Sequence, residues 1–128
     1  MRTGYKMAFA LLAGVGIGGA AGSVLHAQPP PPAYVILEKS AISDPAGLRN
    51  YASKEDALIE KHGGKFVIQG GKPIALDEGT PPLRFTMIEF DSLAQVQAWQ
   101  NESAQGELRA IRASASQGTS FAVVSKPK

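Results

Sequence analysis

The chain has no cysteine, and beyond His26 near its N-terminus it has a single histidine, His62. Without cysteine it forms no disulfide and no thiolate metal site, even in the oxidising compartment that an exported protein would meet. One histidine without cysteine or clustered acids is a poor metal site. The glycine pairs at 63–64 and 70–71 do not open a helix, so they do not form a phosphate-binding loop. The sequence therefore predicts neither a metal site nor a cofactor.

The first 27 residues have the pattern of a secretory signal peptide. Arg2 and Lys6 precede an uncharged stretch from Met7 to Leu25, and a small-residue junction ends at Ala27. Cleavage there predicts a periplasmic or secreted protein that begins at Gln28. The alternative is an uncleaved anchor, because 19 uncharged residues approach the roughly 20 that span a bilayer. The absence of cysteine after the apolar stretch excludes a lipoprotein anchor.

The excess of basic residues belongs to this leader. The chain has 13 Lys and Arg against 11 Asp and Glu, and removing Arg2 and Lys6 leaves 11 of each. The remaining chain is near neutral, so neither nucleic acid nor a membrane surface is a predicted partner after cleavage. We expect a proline-rich tether at 28–33, one domain at 34–125 and a tail at 126–128.

Hydrophobic periodicity predicts a β-α-β-β-α-β order in this domain. Asp44 and Pro45 begin the first helix as its cap and first residue, and Gly63 ends it. Ser92 and Gln95 form a capping box at the next helix. The predicted strands are 34–39, 64–69, 83–90 and 119–125, and the predicted helices are 45–62, 92–99 and 103–116. Residues 72–76 are predicted to extend the hairpin between the middle strands, with its tip at 77–82. The order predicts an α+β, ferredoxin-like sandwich.

The predicted strands contain nearly continuous apolar runs, which read YVIL, FVI, FTMI and FAVV. A sheet that helices cover on one face alone should alternate apolar and polar residues, whereas continuous runs are typical of strands buried on both faces. The sheet of a second copy is the simplest cover for the other face. We therefore expect a homodimer that packs sheet against sheet.

Several features occur here in the order found in one known family. They are Asp44–Pro45, Tyr51, His62–Gly64, Gly70–Gly71, Ile88–Leu93 and Trp99. Over residues 34–124 the chain resembles the domain of unknown function 1330 family, within the dimeric α+β barrel superfamily, and its leader resembles the exported branch. The resemblance implies a ferredoxin-like protomer that pairs into a dimeric α+β barrel, and it implies no activity. Gln69 stands where the family usually has Arg, and Asn101–Gln105 replaces a segment that often ends in Tyr.

Glu55 occupies an unusual position for a carboxylate. Helical spacing places it within the apolar face formed by Leu48, Tyr51, Leu58 and Ile59, which should point at the sheet. An unpaired charge there is costly, so one interpretation is a pocket acid or base. The alternative, which the rarity of buried unpaired Glu favours, is a rotated helix or a side chain that reaches the rim.

Six further residues complete the candidate pocket. They are Tyr51, His62, Phe66, Arg84, Glu89 and Trp99. His62 is either a general base or a helix-terminal residue that interacts with the last carbonyls. Arg84 and Glu89 face opposite sides of one strand because their separation is odd. Arg84 either binds an anionic ligand or, as is more common, pairs across an interface or lies at the end of its strand.

Two functions remain from these observations. The first is a small-molecule binding or accessory protein of the periplasm, without catalysis of its own. The second is an enzyme similar to the cofactor-independent monooxygenases or isomerases of the same superfamily, with a pocket between helices and sheet. The sequence holds no nucleophile–base pair and no metal or cofactor motif, which favours binding, whereas fold analogy supports the enzyme. No catalytic residue is assigned.

Overall fold

The computed structural model describes residues 29–126, and its elements follow the predicted order. Strand β1 (Ala33–Ile42) is followed by helix α1 (Pro45–Lys61), strands β2 (Lys65–Gly71) and β3 (Arg84–Phe90), helices α2 (Leu93–Gln100) and α3 (Gln105–Ala115), and strand β4 (Ser116–Val124). The strands form one antiparallel sheet in the order β2-β3-β1-β4. This arrangement confirms the ferredoxin-like prediction. The predicted leader lies outside the described residues.

Helix α1 begins and ends where its sequence requires. The Asp44 carboxylate accepts a hydrogen bond from the Gly47 backbone N–H at 3.0 Å, and Pro45 occupies the first turn. The chain leaves the helix through Gly63, whose φ of +83° lies in the left-handed region. These two ends fix the length of the helix, and its buried face consists of Leu48, Tyr51, Glu55 and Ile59.

The core lies between the helices and one face of the sheet. Its larger cluster joins Leu37 of β1 and Phe90 of β3 to Trp99 of α2, and the Phe90 and Trp99 ring centroids are 5.7 Å apart. A smaller cluster packs the N-terminal half of α1 against Leu108 of α3, and Leu58 contacts both clusters. Each fully buried large apolar side chain contributes about 1.5–3 kcal/mol, so the two clusters hold all three helices on one side of the sheet.

The opposite face of the sheet has no helix against it among the described elements. Ile36 pairs with Met87 on one side and with Phe121 on the other. Phe121 and Val123 are each 47% exposed and extend this apolar surface across β4. The continuous apolar runs of the strands therefore place apolar side chains on both faces of the sheet, one packed against the helices and one without a helix against it.

Two predictions about the connecting segments are wrong. Residues 72–76 do not extend the hairpin, because they lie in the loop between β2 and β3, where Ile74 and Leu76 are 82% and 94% exposed. The last strand does not begin at residue 119: α3 ends at Ala115 and β4 begins at Ser116, so Gly118 lies inside β4, opposite Lys39. A Cβ at position 118 would overlap the carbonyl oxygen of Glu38, so glycine is required for the close pairing of β1 and β4.

Candidate functional site

A cleft of about 190 Å³ lies between α1 and the helix-facing side of β1, β2 and β3. Its apolar wall consists of Leu37, Leu48, Ala52, Ile59 and Phe66, and its polar lining consists of Lys39, Tyr51, Glu55, Asp56, Gln69, Arg84 and Thr86. Pockets for drug-sized ligands are typically about 300–1,000 Å³. The cleft is therefore suited to a smaller molecule.

Glu55 lines the cleft but is only 3% exposed, and its carboxylate is held by two other helices. Its Oε1 accepts hydrogen bonds from Trp99 Nε1 of α2 at 2.7 Å and from Gln105 Nε2 of α3 at 2.8 Å. The favoured alternative, a rotated helix or a side chain that reaches the rim, is wrong because Glu55 is buried on the same face as Leu48, Tyr51 and Ile59. The charge is tolerated because its desolvation is offset by charge-assisted hydrogen bonds.

Gln105 is a residue of this site that the sequence did not reveal. It is 2% exposed, whereas the neighbouring Ala104 is exposed at the helix cap. Gln105 and Leu108 are three apart and share a face as well as Ala104 and Leu108 do. The spacing was therefore compatible with a buried Gln105, but a glutamine is normally interpreted as a surface residue.

Tyr51 presents a buried hydroxyl to the cleft. The residue is 6% exposed, and its Oη makes no hydrogen bond with any partner in residues 29–126. Glu55 and Arg112 lie close to it without adequate hydrogen-bond geometry. Burial, and then the Glu55 charge, raises the pKa of Tyr51 to about 12. The phenol therefore stays protonated and remains a hydrogen-bond donor at neutral pH.

Two cations line the cleft, and a third lies nearby. Lys39 of β1 and Arg84 of β3 are direct cross-strand partners, and both line the cleft. The Lys39 ammonium lies 5.9 Å from the centre of the Tyr51 ring. Burial lowers the pKa of Lys39, and the neighbouring charges of Arg112 and Arg84 lower it further. The end of the cleft formed by β1 and β3 is thus electropositive.

The opposite end of the cleft is acidic. Asp56 lines it together with Gln69, the position at which the family usually has Arg. Burial raises the pKa of Asp56, and a contact with Gln69 partly offsets this effect. The cleft is therefore polarised along its length.

Three predicted pocket residues lie elsewhere. Trp99 supports Glu55 from behind. His62 lies at the end of α1, where its Nε2 is 2.8 Å from Glu102 Oε1, and Glu89 faces the open side of the sheet. The structure thus brings Tyr51, Glu55, Phe66 and Arg84 together at the cleft, and it does not bring His62 or Glu89 there. The part of the chain that the structure describes contains no cluster of three potential metal ligands.

The sheet order and the helix positions define a ferredoxin-like α+β domain. The chain belongs to the family described as Domain of unknown function (DUF1330), which matches residues 32–126. No curated protein matches the chain. None of the helices in residues 29–126 is long and apolar enough to cross a membrane.

Solved structures with the same fold have low sequence identity to this chain. A protein of unknown function from Rhodopseudomonas palustris is 18% identical, with a TM-score of 0.60 over 87% of this chain and 92% of its own. SnoaB, a cofactor-independent oxygenase from Streptomyces nogalater, is 7% identical, with a TM-score of 0.55 over 77% and 96%. A hydroxynitrile lyase from Passiflora edulis is 8% identical, with a TM-score of 0.54 over 79% and 98%. These likenesses show the fold alone.

Proposed function

We propose that this domain binds a small molecule in the cleft beside Tyr51 and has no catalytic activity of its own. The observation that carries the proposal is Tyr51, which lines the cleft and whose buried hydroxyl has no hydrogen-bond partner among the described residues. An unsatisfied buried polar group costs about 1–3 kcal/mol. A ligand that accepts a hydrogen bond from Tyr51 would offset this cost, and its body would contact Leu48, Ile59 and Phe66.

The alternative function is that of a cofactor-independent monooxygenase or isomerase. SnoaB, which has this fold, is a cofactor-independent oxygenase. Tyr51 and Glu55, which line the cleft, favour binding over catalysis. Tyr51 stays protonated because its pKa is raised to about 12, and the Glu55 carboxylate is held in place by Trp99 and Gln105.

The proposed setting of the domain is an exported homodimer. Export is supported by the charged leader and the Ala27–Gln28 junction. Pairing through the open sheet face is supported by the apolar surface of Ile36, Met87 and Phe121. In such a dimer each cleft would lie on the helix side of its own sheet, away from the contact between protomers.

The experiment that tests cleft binding compares two variants of α1. Ala52→Leu places a larger side chain in the cleft, whereas Ala57→Leu adds the same atoms at an exposed position of the same helix. Benzoate and benzamide, matched in size and different in charge, are titrated while backbone amide NMR signals are recorded. We expect at least one probe to shift the signals of cleft residues in the wild type and in Ala57→Leu, and not in Ala52→Leu. Absence of such shifts with both probes in the wild type would overturn the proposal.

A further inference from the structure

The pairing of Lys39 with Arg84 requires an explanation. The two residues are directly opposite in the antiparallel ladder between β1 and β3, and both side chains face the helices. Like charges directly opposite each other destabilise a strand pair. Lys39 is also half-buried, and burial lowers its pKa, so its ammonium is held where water compensates the charge less well.

A third cation, Arg112 of α3, lies near this pair without lining the cleft. It is one of the two charges that lower the pKa of Lys39, and it lies close to the Tyr51 hydroxyl. The salt bridges among the described residues join Glu102 to Lys61 and to His62, and none involves Lys39, Arg84 or Arg112. Two cations therefore line one end of the cleft, and a third lies nearby, without an ion-pair partner in residues 29–126.

The two acidic residues of the cleft form no salt bridge with these cations within residues 29–126. Glu55 accepts hydrogen bonds from Trp99 and Gln105 on one oxygen. Asp56 is near Gln69 toward β2. An anionic group on a ligand would meet Lys39 and Arg84 at one end, with Tyr51 as the hydrogen-bond donor.

We propose that the cleft selects small ligands that carry a carboxylate, which binds beside Lys39 and Arg84, within the field of the nearby Arg112, and accepts a hydrogen bond from Tyr51. This inference rests on the proposed function and specifies the class of ligand. Arginine binds carboxylates with two parallel hydrogen bonds, and the apolar wall takes a short aliphatic or aromatic body. The carboxylate relieves the repulsion between Lys39 and Arg84 and satisfies the Tyr51 hydroxyl in one binding event.

The test compares the affinities of benzoate and benzamide by NMR titration. Arg84→Leu removes a cleft cation at an exposed position that tolerates substitution, whereas Arg49→Leu removes an exposed cation of α1 that does not line the cleft. A charge-assisted hydrogen bond is worth about tenfold in affinity. We expect benzoate to bind about tenfold more tightly than benzamide, and Arg84→Leu to remove most of this difference. Arg49→Leu should preserve it, and added salt should reduce it.

Each other outcome overturns the inference in a distinct way. If benzamide binds as tightly as benzoate and Ala52→Leu abolishes both, cleft binding stands and carboxylate selection is wrong. If Arg49→Leu weakens benzoate as much as Arg84→Leu does, the attraction is non-specific and the inference is wrong. If neither probe shifts cleft signals in the wild type, the proposed function is wrong as well. Lys39→Met and Arg112→Leu extend the test, with Lys54→Met as the exposed lysine control.

Discussion

Glu55 places a carboxylate on the apolar face of α1, where an apolar core side chain would be expected. It is stable there because Trp99 and Gln105 both donate to it. Removing this carboxylate would leave two buried donors without a partner. An unsatisfied buried donor costs more free energy than the net contribution of the hydrogen bond that is lost.

We therefore expect Glu55→Ala to destabilise the domain by roughly 3 kcal/mol or more, from two orphaned donors and a small cavity. Glu55→Gln keeps an oxygen that can accept from both donors, so its cost should be about 1 kcal/mol. Urea denaturation measures both values, and Glu60→Gln on the exposed side of α1 is the control. A change of less than about 0.5 kcal/mol for Glu55→Ala, as at ordinary surface positions, would contradict this account.

The direction of Glu55 could be predicted from the sequence, but its hydrogen-bond partners could not. Helical periodicity fixes which residues share a face, and the caps at Asp44 and Gly63 fix the length of the helix, so the direction of Glu55 could be predicted. The contact with Gln105 depends on how α3 packs against α1, which is a long-range property. Arg84 was placed on one side of β3 by strand alternation, but its opposition to Lys39 required the register of β1 and β3.

At the scale of the secondary-structure elements, the carboxylate of Glu102 links the end of α1 to the segment between α2 and α3. Glu102 Oε1 lies 2.7 Å from Lys61 Nζ and 2.8 Å from His62 Nε2. Hydrogen bonds from Lys61 and then His62 hold the pKa of Glu102 below its ordinary value of 4.5. His62 is thus a helix-terminal residue that links two elements.

The contacts of Glu102 with Lys61 and His62 should weaken at low pH. Because the pKa of Glu102 is lower in the folded state, its contribution to stability is complete above the unfolded value and is lost as pH falls through the folded value. We expect Glu102→Gln to lower the melting temperature at pH 7, and the difference from the wild type to shrink as pH falls below 4.5. Melting curves by circular dichroism measure this, with Glu107→Gln on the exposed face of α3 as control. A difference that stays constant down to pH 3 would show that the carboxylate charge is not involved.

Element boundaries were predictable where a side chain sets them and not where pairing sets them. The start of α1 at Pro45 follows from the Asp44 cap. Strand β1 runs to Ile42, beyond the predicted end at Lys39, because it continues to pair with β4 after a register shift between Lys39 and Ala41. The exposed 72–76 segment has strand-like residues but no partner strand within the described chain to pair with.

At the scale of the whole molecule, the sheet separates two surfaces. The helix-facing side holds the core and the cleft, and the open side carries the exposed apolar side chains of Phe121 and Val123 beside the buried Ile36. Large exposed apolar surfaces mark interaction sites, and homodimer interfaces are the more apolar kind of interface. We expect two copies to pack their open faces together while both clefts stay accessible.

The central claim is that each protomer binds a small carboxylate in its own cleft within a dimer. Native mass spectrometry of the purified protein with benzoate tests this claim directly, because ionic contacts strengthen when water is removed. The account predicts a species at twice the chain mass that carries up to two benzoates, and one that carries none in Ala52→Leu. A monomer, a dimer with a single shared benzoate, or equal uptake by Ala52→Leu would contradict it.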